Sequence, residues 1–310
     1  MFSPFHGVMR HVVRHATGLL LLAGASGAAF AQAQTPADTM ARIRETKVVV
    51  LGVREAARPF SFLNEQKQPV GYSVDLCLNA VEGIKRELKL PDLKVQYKVV
   101  SGPERIPKLL SGEIDMECGS TTNTRARQEK VAFSYTFFVA SMRLLTPKNL
   151  QVESVKDLNG LPVALSKGTT SEKLFNQLAN GELHAQLTTF ASNGEAYKAL
   201  KEGRVRAFPQ DDSLLLGLVS NDKALDTFQV SNLALSVEPY AVMVRKGDTA
   251  LLASVDRSLA QLYVSGEINA LYTKWFLTDA LTIKMSRLTR DSFVRPNKEA
   301  GVAMLLGFSI

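Results

Sequence analysis

The sequence predicts two α/β domains with a ligand cleft between them, joined by two hinge crossings. Three observations lead there. Short β-rich runs alternate with helical patterns in two successive series. Extended segments bracket the second series on both sides. Helical residues follow the second bracket, and they complete the first domain if they pack back on it.

In chain order, Lys47–Val53 reads as a strand, Ser73 to about Leu88 as a helix with one apolar face, and Val95–Val100 as a strand. Glu104–Leu110 reads as a short helix and Ile114–Cys118 as a strand, which gives the β-α-β-α-β rhythm of a largely parallel sheet. The rhythm restarts with strand Pro162–Ser166, helix Ser171–Leu178, strand Gln186–Phe190, helix Gly194–Lys201, strand Arg204–Phe208 and helix Ser213–Val219. Ser141–Thr146 and Val237–Val244 are the two extended brackets, and Leu251–Val264 and Gly266–Phe276 are the helices that return. The domain limits that follow are 34–143 with 243–280 for the first, 144–242 for the second, and 281–310 for a C-terminal tail. Where a chain crosses twice between two domains, the cleft between them is the natural place for a ligand.

The start of the chain speaks to compartment. Arg10 and Arg14 without acids, the apolar run of residues 16–30, and the Ala29-Phe30-Ala31 and Ala31-Gln32-Ala33 sites describe a cleaved secretory signal over residues 1–33. The run is shorter than the ~20 residues that span a bilayer, and no Cys follows it to carry a lipid. Removing this segment lowers the net charge from +7 by the two arginines it holds. The remaining charges are scattered, with no Lys/Arg-rich stretch of the kind that binds nucleic acid. A modest positive field still attracts an anionic solute. Cys77 and Cys118 meet oxidising conditions after export, and spacing leaves open a bridge or two buried thiols.

Three segments carry chemistry. Glu117-Cys-Gly-Ser-Thr-Thr-Asn-Thr-Arg-Ala-Arg127 follows a strand and offers hydroxyls, backbone amides and an arginine fork suited to a carboxylate. The plain alternative is a polar loop with a helix cap. Gly168-Thr-Thr-Ser-Glu172 turns a strand into a helix; Thr169 or Thr170 can cap it, with Glu172 in the capping-box position, and the same N-terminus can receive an anion. Asp211-Asp212 either caps the next helix or receives an ammonium group.

Glu117–Asn123 and Gly168–Glu172 of these segments, with Gly71-Tyr-Ser-Val-Asp-Leu-Cys77, Arg105-Ile-Pro107 and Lys274-Trp-Phe276, occur in the order and spacing of a known family. From Lys47 to Phe276 the chain resembles the periplasmic glutamate/aspartate-binding proteins of ABC transporters, within the polar amino-acid-binding proteins. The resemblance implies a type II periplasmic binding protein-like fold and a periplasmic monomer that hands glutamate or aspartate to the membrane subunits of an ABC transporter. It implies no cofactor and no catalysis. By position, Arg127 clamps the ligand's α-carboxylate with Ser120, Thr122 and Thr170; Asp211 takes the ammonium, shared with Ser120. Arg54 and Arg105 face the side-chain carboxylate. Two departures weaken the acidic end: Asn193 stands where the family has His, and Gly102 where it has Ser, with Ser101 as an offset replacement. Asn donates a hydrogen bond but carries no charge.

Other readings have less to stand on. Exported arogenate or prephenate dehydratases share this scaffold and need a carboxylate free to move a proton. A sensory module needs a signalling or transmembrane segment. His184, outside the leader, lies between a helix and a strand, so neither zinc spacing nor a Ser–His–acid triad can be assembled.

Overall fold

The computed structural model describes residues 38–181 and 183–303, and the backbone of 308–309. The expected signal segment and part of the apolar C-terminus lie outside the described residues.

The first lobe is built on a five-stranded sheet in the order Lys94–Val99, Val48–Val53, Met116–Glu117, Met243–Arg245 and Val131–Phe133. The first two neighbour pairs are parallel. Met243–Arg245, arriving late in the chain, runs antiparallel to both of its neighbours. Val49, Leu51 and Val53 alternate onto one face, as a pleated strand requires. There they meet the apolar stripe Leu76, Ala80, Ile84 and Leu88 of helix Tyr72–Leu88. Leu251, Val255, Leu259 and Leu262 of helix Thr249–Ser265 close the same core.

The second lobe centres on strand Met142–Pro147, which pairs antiparallel with Phe208–Asp211 on one side and Phe228–Val230 on the other. A single parallel bridge from Ala207 to Val163 connects this sheet to the parallel pair Pro162–Ser166 and Gln186–Phe190. Val163 and Leu165 join one core with Leu174 and Phe175 of helix Thr170–Ala179. Ala164 points the other way, to Ala196, Ala199 and Leu200 of helix Asn193–Lys201. A sheet covered on both faces explains why this strand reads as a continuous apolar run.

Most elements fall within two residues of their expected limits. The exceptions are instructive. Arg204–Phe208 was expected as a strand, but the strand is Phe208–Asp211. The residues before it form a turn around Gly203 (φ +71°), and antiparallel pairing with Met142–Leu145 draws in Pro209 and Gln210 instead. Asp211 therefore ends the strand and begins helix Asp212–Asn221. The expected extended run Val237–Val244 divides into two strands in different sheets, Ser236–Tyr240 and Met243–Arg245.

Two strands run between the lobes, Phe138–Ala140 and Ser236–Tyr240, paired antiparallel with Glu238 opposite Ala140 and Tyr240 opposite Phe138. An aromatic cluster underlies them: Phe60 lies edge-on to Phe138, Tyr240 and Phe276 at 4.8, 5.0 and 5.3 Å between ring centroids. The tail then adds to this pair. Helix Arg287–Val294 stacks Phe293 on Tyr263 of the first lobe at 4.9 Å. Asn123 Nδ2 donates to Lys298 O at 2.9 Å. Val302–Ala303 then pairs antiparallel with Ser236–Val237, and Ala303 is packed into the second lobe's core beside Met142 and Leu235.

Cys77 and Cys118 form a disulfide with Cα atoms 6.2 Å apart. It ties helix Tyr72–Leu88 to the residue just before Gly119 and Ser120. The Lys274-Trp-Phe motif has a packing role. Lys274 Nζ and Trp275 Nε1 each donate to Asp75 at 2.7 Å, and Phe276 is fully buried in the aromatic cluster. Among the described residues no helix is long and apolar enough to cross a membrane.

Candidate ligand-binding cleft

Arg54, Arg105, Ser120, Thr122, Arg127, Thr170, Asn193 and Asp211 all line one cavity between the lobes, together with Thr169, Gln210 and Leu214. Local structure accounts for each position. Arg54 follows the strand Val48–Val53, and its backbone N–H is held by Ser61 Oγ at 2.9 Å. Thr124 caps the short helix Arg125–Gln128, accepting from the Arg127 N–H at 3.2 Å, and so aims Arg127. Across the cleft Thr169 is the N-cap of helix Thr170–Ala179, accepting from Glu172 N–H at 3.1 Å. Glu172 Oε2 accepts in turn from Gly168 N–H at 2.7 Å. Capping thus falls to Thr169 and releases Thr170 for the cleft.

The lobes meet closely here. Arg105 Nη2 and Arg127 Nη2 both donate across to Gly168 O, at 3.0 and 3.2 Å. Arg127 Nη1 donates to Thr122 O at 2.8 Å. Gly168 holds φ +77°, and a Cβ on Gly102 would come within 2.6 Å of Lys167 O. A serine at position 102 is therefore incompatible with this approach of the lobes. Ser101 does not replace it: its hydroxyl donates to Glu104, at the mouth of a neighbouring cavity. On the far side a Cβ on Gly217 would lie 2.4 Å from Arg58 O, so helix Asp212–Asn221 packs against the first lobe at backbone distance.

Asp211 occupies the N-cap position of that helix, yet its side chain makes no capping bond. Its neighbour takes over, Asp212 Oδ1 accepting from Ser213 N–H at 2.7 Å. Asp211 is 3% exposed; Oδ2 accepts from the Tyr240 hydroxyl, and Oδ1 is buried without a hydrogen-bond partner. Asn193 Oδ1 accepts from Gln210 Nε2 at 2.9 Å. That bond commits the amide oxygen and leaves the NH₂ group as the donor available to a ligand.

Five further residues belong to the site. Glu117, fully buried, accepts from Thr121 Oγ1 at 2.8 Å, and Thr121 accepts from Arg105 Nη1 at 2.7 Å. Glu238 accepts from Thr170 Oγ1 at 3.0 Å and from the Ser236 hydroxyl, and Tyr240 holds Asp211. Ser236, Glu238 and Tyr240 share a face because residues two apart on a strand do. The alternation Ser-x-Glu-x-Tyr within an extended run is the one sequence signal that could have found them.

Burial dominates the electrostatics. It lowers the guanidinium of Arg127 to about 9 and that of Arg54 to about 10, with repulsion from Arg105 adding in both cases. It raises Asp211 well above the usual carboxylate range, helped by repulsion from Glu238, and raises Glu238 as well. Arg54, Arg105 and Arg127 thus lie together with the buried acids Glu117, Asp211 and Glu238 at one lobe junction, and buried charge is tolerable there only when it is paired.

A sheet-based two-lobed chain with its polar cavity at the lobe junction is a type II periplasmic binding protein fold. The particular family is shown by the match of residues 49–278 to the bacterial extracellular solute-binding proteins, family 3; the chain belongs to it. An L-glutamate/L-aspartate-binding protein of Pseudomonas aeruginosa is 42% identical over 262 residues, 83% of this chain and 87% of that one. The glutamate/aspartate import solute-binding protein of Escherichia coli K12 is 35% identical over 294 residues, 92% of this chain and 97% of its own. Among solved structures, a mutant of ArgBP from T. maritima superposes with a TM-score of 0.69 at 27% identity, covering 77% of this chain and 99% of that chain.

Proposed function

We infer that this protein is an exported, monomeric solute-binding protein that closes its two lobes around an acidic amino acid, glutamate or aspartate, and presents it to an ABC transporter. The observation that carries the reading is the charge pattern of one cavity. Arg127 sits with Ser120, Thr122 and Thr170, an arrangement suited to an α-carboxylate. Asp211, with an unpartnered oxygen, suits an ammonium group. Arg54 and Arg105 add two more guanidinia for a second carboxylate. The names of the Pseudomonas aeruginosa and Escherichia coli relatives agree with that ligand class. Contacts come from both lobes, so a ligand that completes them favours the closed state through differential affinity.

The protein acts by binding alone. An eliminating enzyme on this scaffold needs a carboxylate free to move a proton. Glu238 has both oxygens engaged, and Asp211 serves as the counter-charge of the ammonium. Calorimetric titration of the mature chain with glutamate, aspartate, glutamine and asparagine tests the reading. Tight one-to-one binding of an acid, with the amides weaker, is expected. Preference for an amide removes the acidic ligand and leaves amino-acid binding; turnover of prephenate or arogenate removes the non-enzymatic reading.

A further inference from the structure

The polar cavity lined by Ser120, Thr122, Arg127, Thr170 and Asp211 has a volume of about 20 Å³, room for about one water molecule. It is shut on most sides, since Ser120, Thr122, Thr170, Gln210, Asp211 and Leu214 are each at most 7% exposed. Two of its residues, Arg54 of the first lobe and Asn193 of the second, also line the neighbouring cavity of about 220 Å³. Small residues keep that boundary open. Gly102 lines the larger cavity without a side chain, and a Cβ there would stand 3.9 Å from Arg54 Nη2. Ala56, Ala191 and Ser192 add only short side chains. Asn193 has its NH₂ group free for a ligand, because its Oδ1 accepts from Gln210 Nε2 at 2.9 Å. Among the described residues of the larger cavity Arg54 is the one cation. Its acids, Glu55 and Glu104, are exposed at the mouth, where Lys108 Nζ lies 3.1 Å from Glu104 Oε1.

We propose that the ligand's side chain passes between Arg54 and Asn193 into the larger cavity, so that the cleft favours acidic amino acids with long side chains: glutamate, and the homologue one methylene longer, over aspartate. This rests on the reading that the cleft takes an acidic amino acid with its α-groups on Arg127 and Asp211. A ligand held there by its α-groups finds its further space past Arg54 and Asn193. A carboxylate arriving at that boundary meets a guanidinium and an amide NH₂, two donors suited to it. Val99, Val100 and Ala56 offer apolar surface to the methylenes of a chain that goes on. Aspartate has the shortest reach of the series, and one methylene in a pocket is worth about tenfold or more in discrimination. The upper limit is set at the mouth, where a carboxylate would face Glu55 and Glu104 and be repelled.

The experiment is calorimetric titration of the mature protein with L-aspartate, L-glutamate and L-2-aminoadipate. Glutamate is expected to bind at least about tenfold more tightly than aspartate, and 2-aminoadipate to bind more tightly than aspartate as well. Ala191 lines the larger cavity and not the smaller one, so Ala191→Phe fills the space meant for the longer chain. That variant is expected to weaken 2-aminoadipate more than about tenfold and aspartate by less than about threefold. Aspartate bound as tightly as 2-aminoadipate, or more tightly, overturns the inference. An A191F protein that weakens all three ligands equally, or none of them, overturns it too. Either result with glutamate still bound by the parent fails the inference alone. Absence of heat with glutamate and aspartate alike fails the functional reading together with it. The parent protein's own ranking of the three acids decides the matter even where the variant does not fold.

Discussion

At one end of the cleft Arg127 is locked by Thr122 O and Gly168 O, Thr170 is anchored by Glu238, and Asp211 is braced by Tyr240. At the other end the Arg54 Nε and Glu117 Oε1 are buried without hydrogen-bond partners. A second cavity of about 220 Å³, lined by Arg54, Asn193, Ser101 and Glu104 among others, opens beside them. On the proposed reading the first end meets what every α-amino acid shares. On the same reading the second end meets the side chain, and it carries both departures from the family pattern, Asn193 and Gly102.

Three changes break or sharpen this contrast. Arg127→Ala leaves the α-carboxylate unpaired in a dry site, a cost of about 3–5 kcal/mol; binding of acids and amides alike is expected to drop at least a hundredfold by calorimetry. Equal loss for all ligands is the signature of the shared end, and undiminished affinity would place the carboxylate elsewhere. Arg54→Ala acts at the other end. Glutamate is expected to weaken about thirtyfold while glutamine changes little, so the acid-to-amide ratio, measured by competition, collapses; a parallel loss of both ligands would show that Arg54 belongs to the shared half. The smallest effect comes from Asn193→His, which restores a group able to become cationic. Glutamate affinity is expected to rise about threefold below pH ~6.5 and not above it. No pH-dependent gain would mean that position 193 does not approach the side-chain carboxylate.

Periodicity and punctuation made the architecture legible: strands such as Pro162–Ser166 and Gln186–Phe190 appear at the limits their composition suggests. The misplaced strand Phe208–Asp211 shows the limit of that method, since Pro209 argues against a strand until Met142–Leu145 is known to lie beside it. The eight expected site residues line one cavity because they sit at strand ends and helix starts, places the chain marks locally. Glu238 and Tyr240 carry no such mark. Their partners Thr170 and Asp211 are 68 and 29 positions away, and only tertiary structure brings them together. Cys77 and Cys118 were open in the same sense, a pairing that separation along the chain does not determine.

Two paired strands form a narrow ribbon that twists readily, and many binding proteins bend on such a ribbon. In this chain Val302–Ala303 lies along Ser236–Val237 and Phe308–Ser309 lies along Val302–Ala303, so the crossing pair is widened into a four-stranded sheet. For anyone converting this protein into a sensor, a reporter placed at Val302–Ala303 sits on the sheet that joins the lobes.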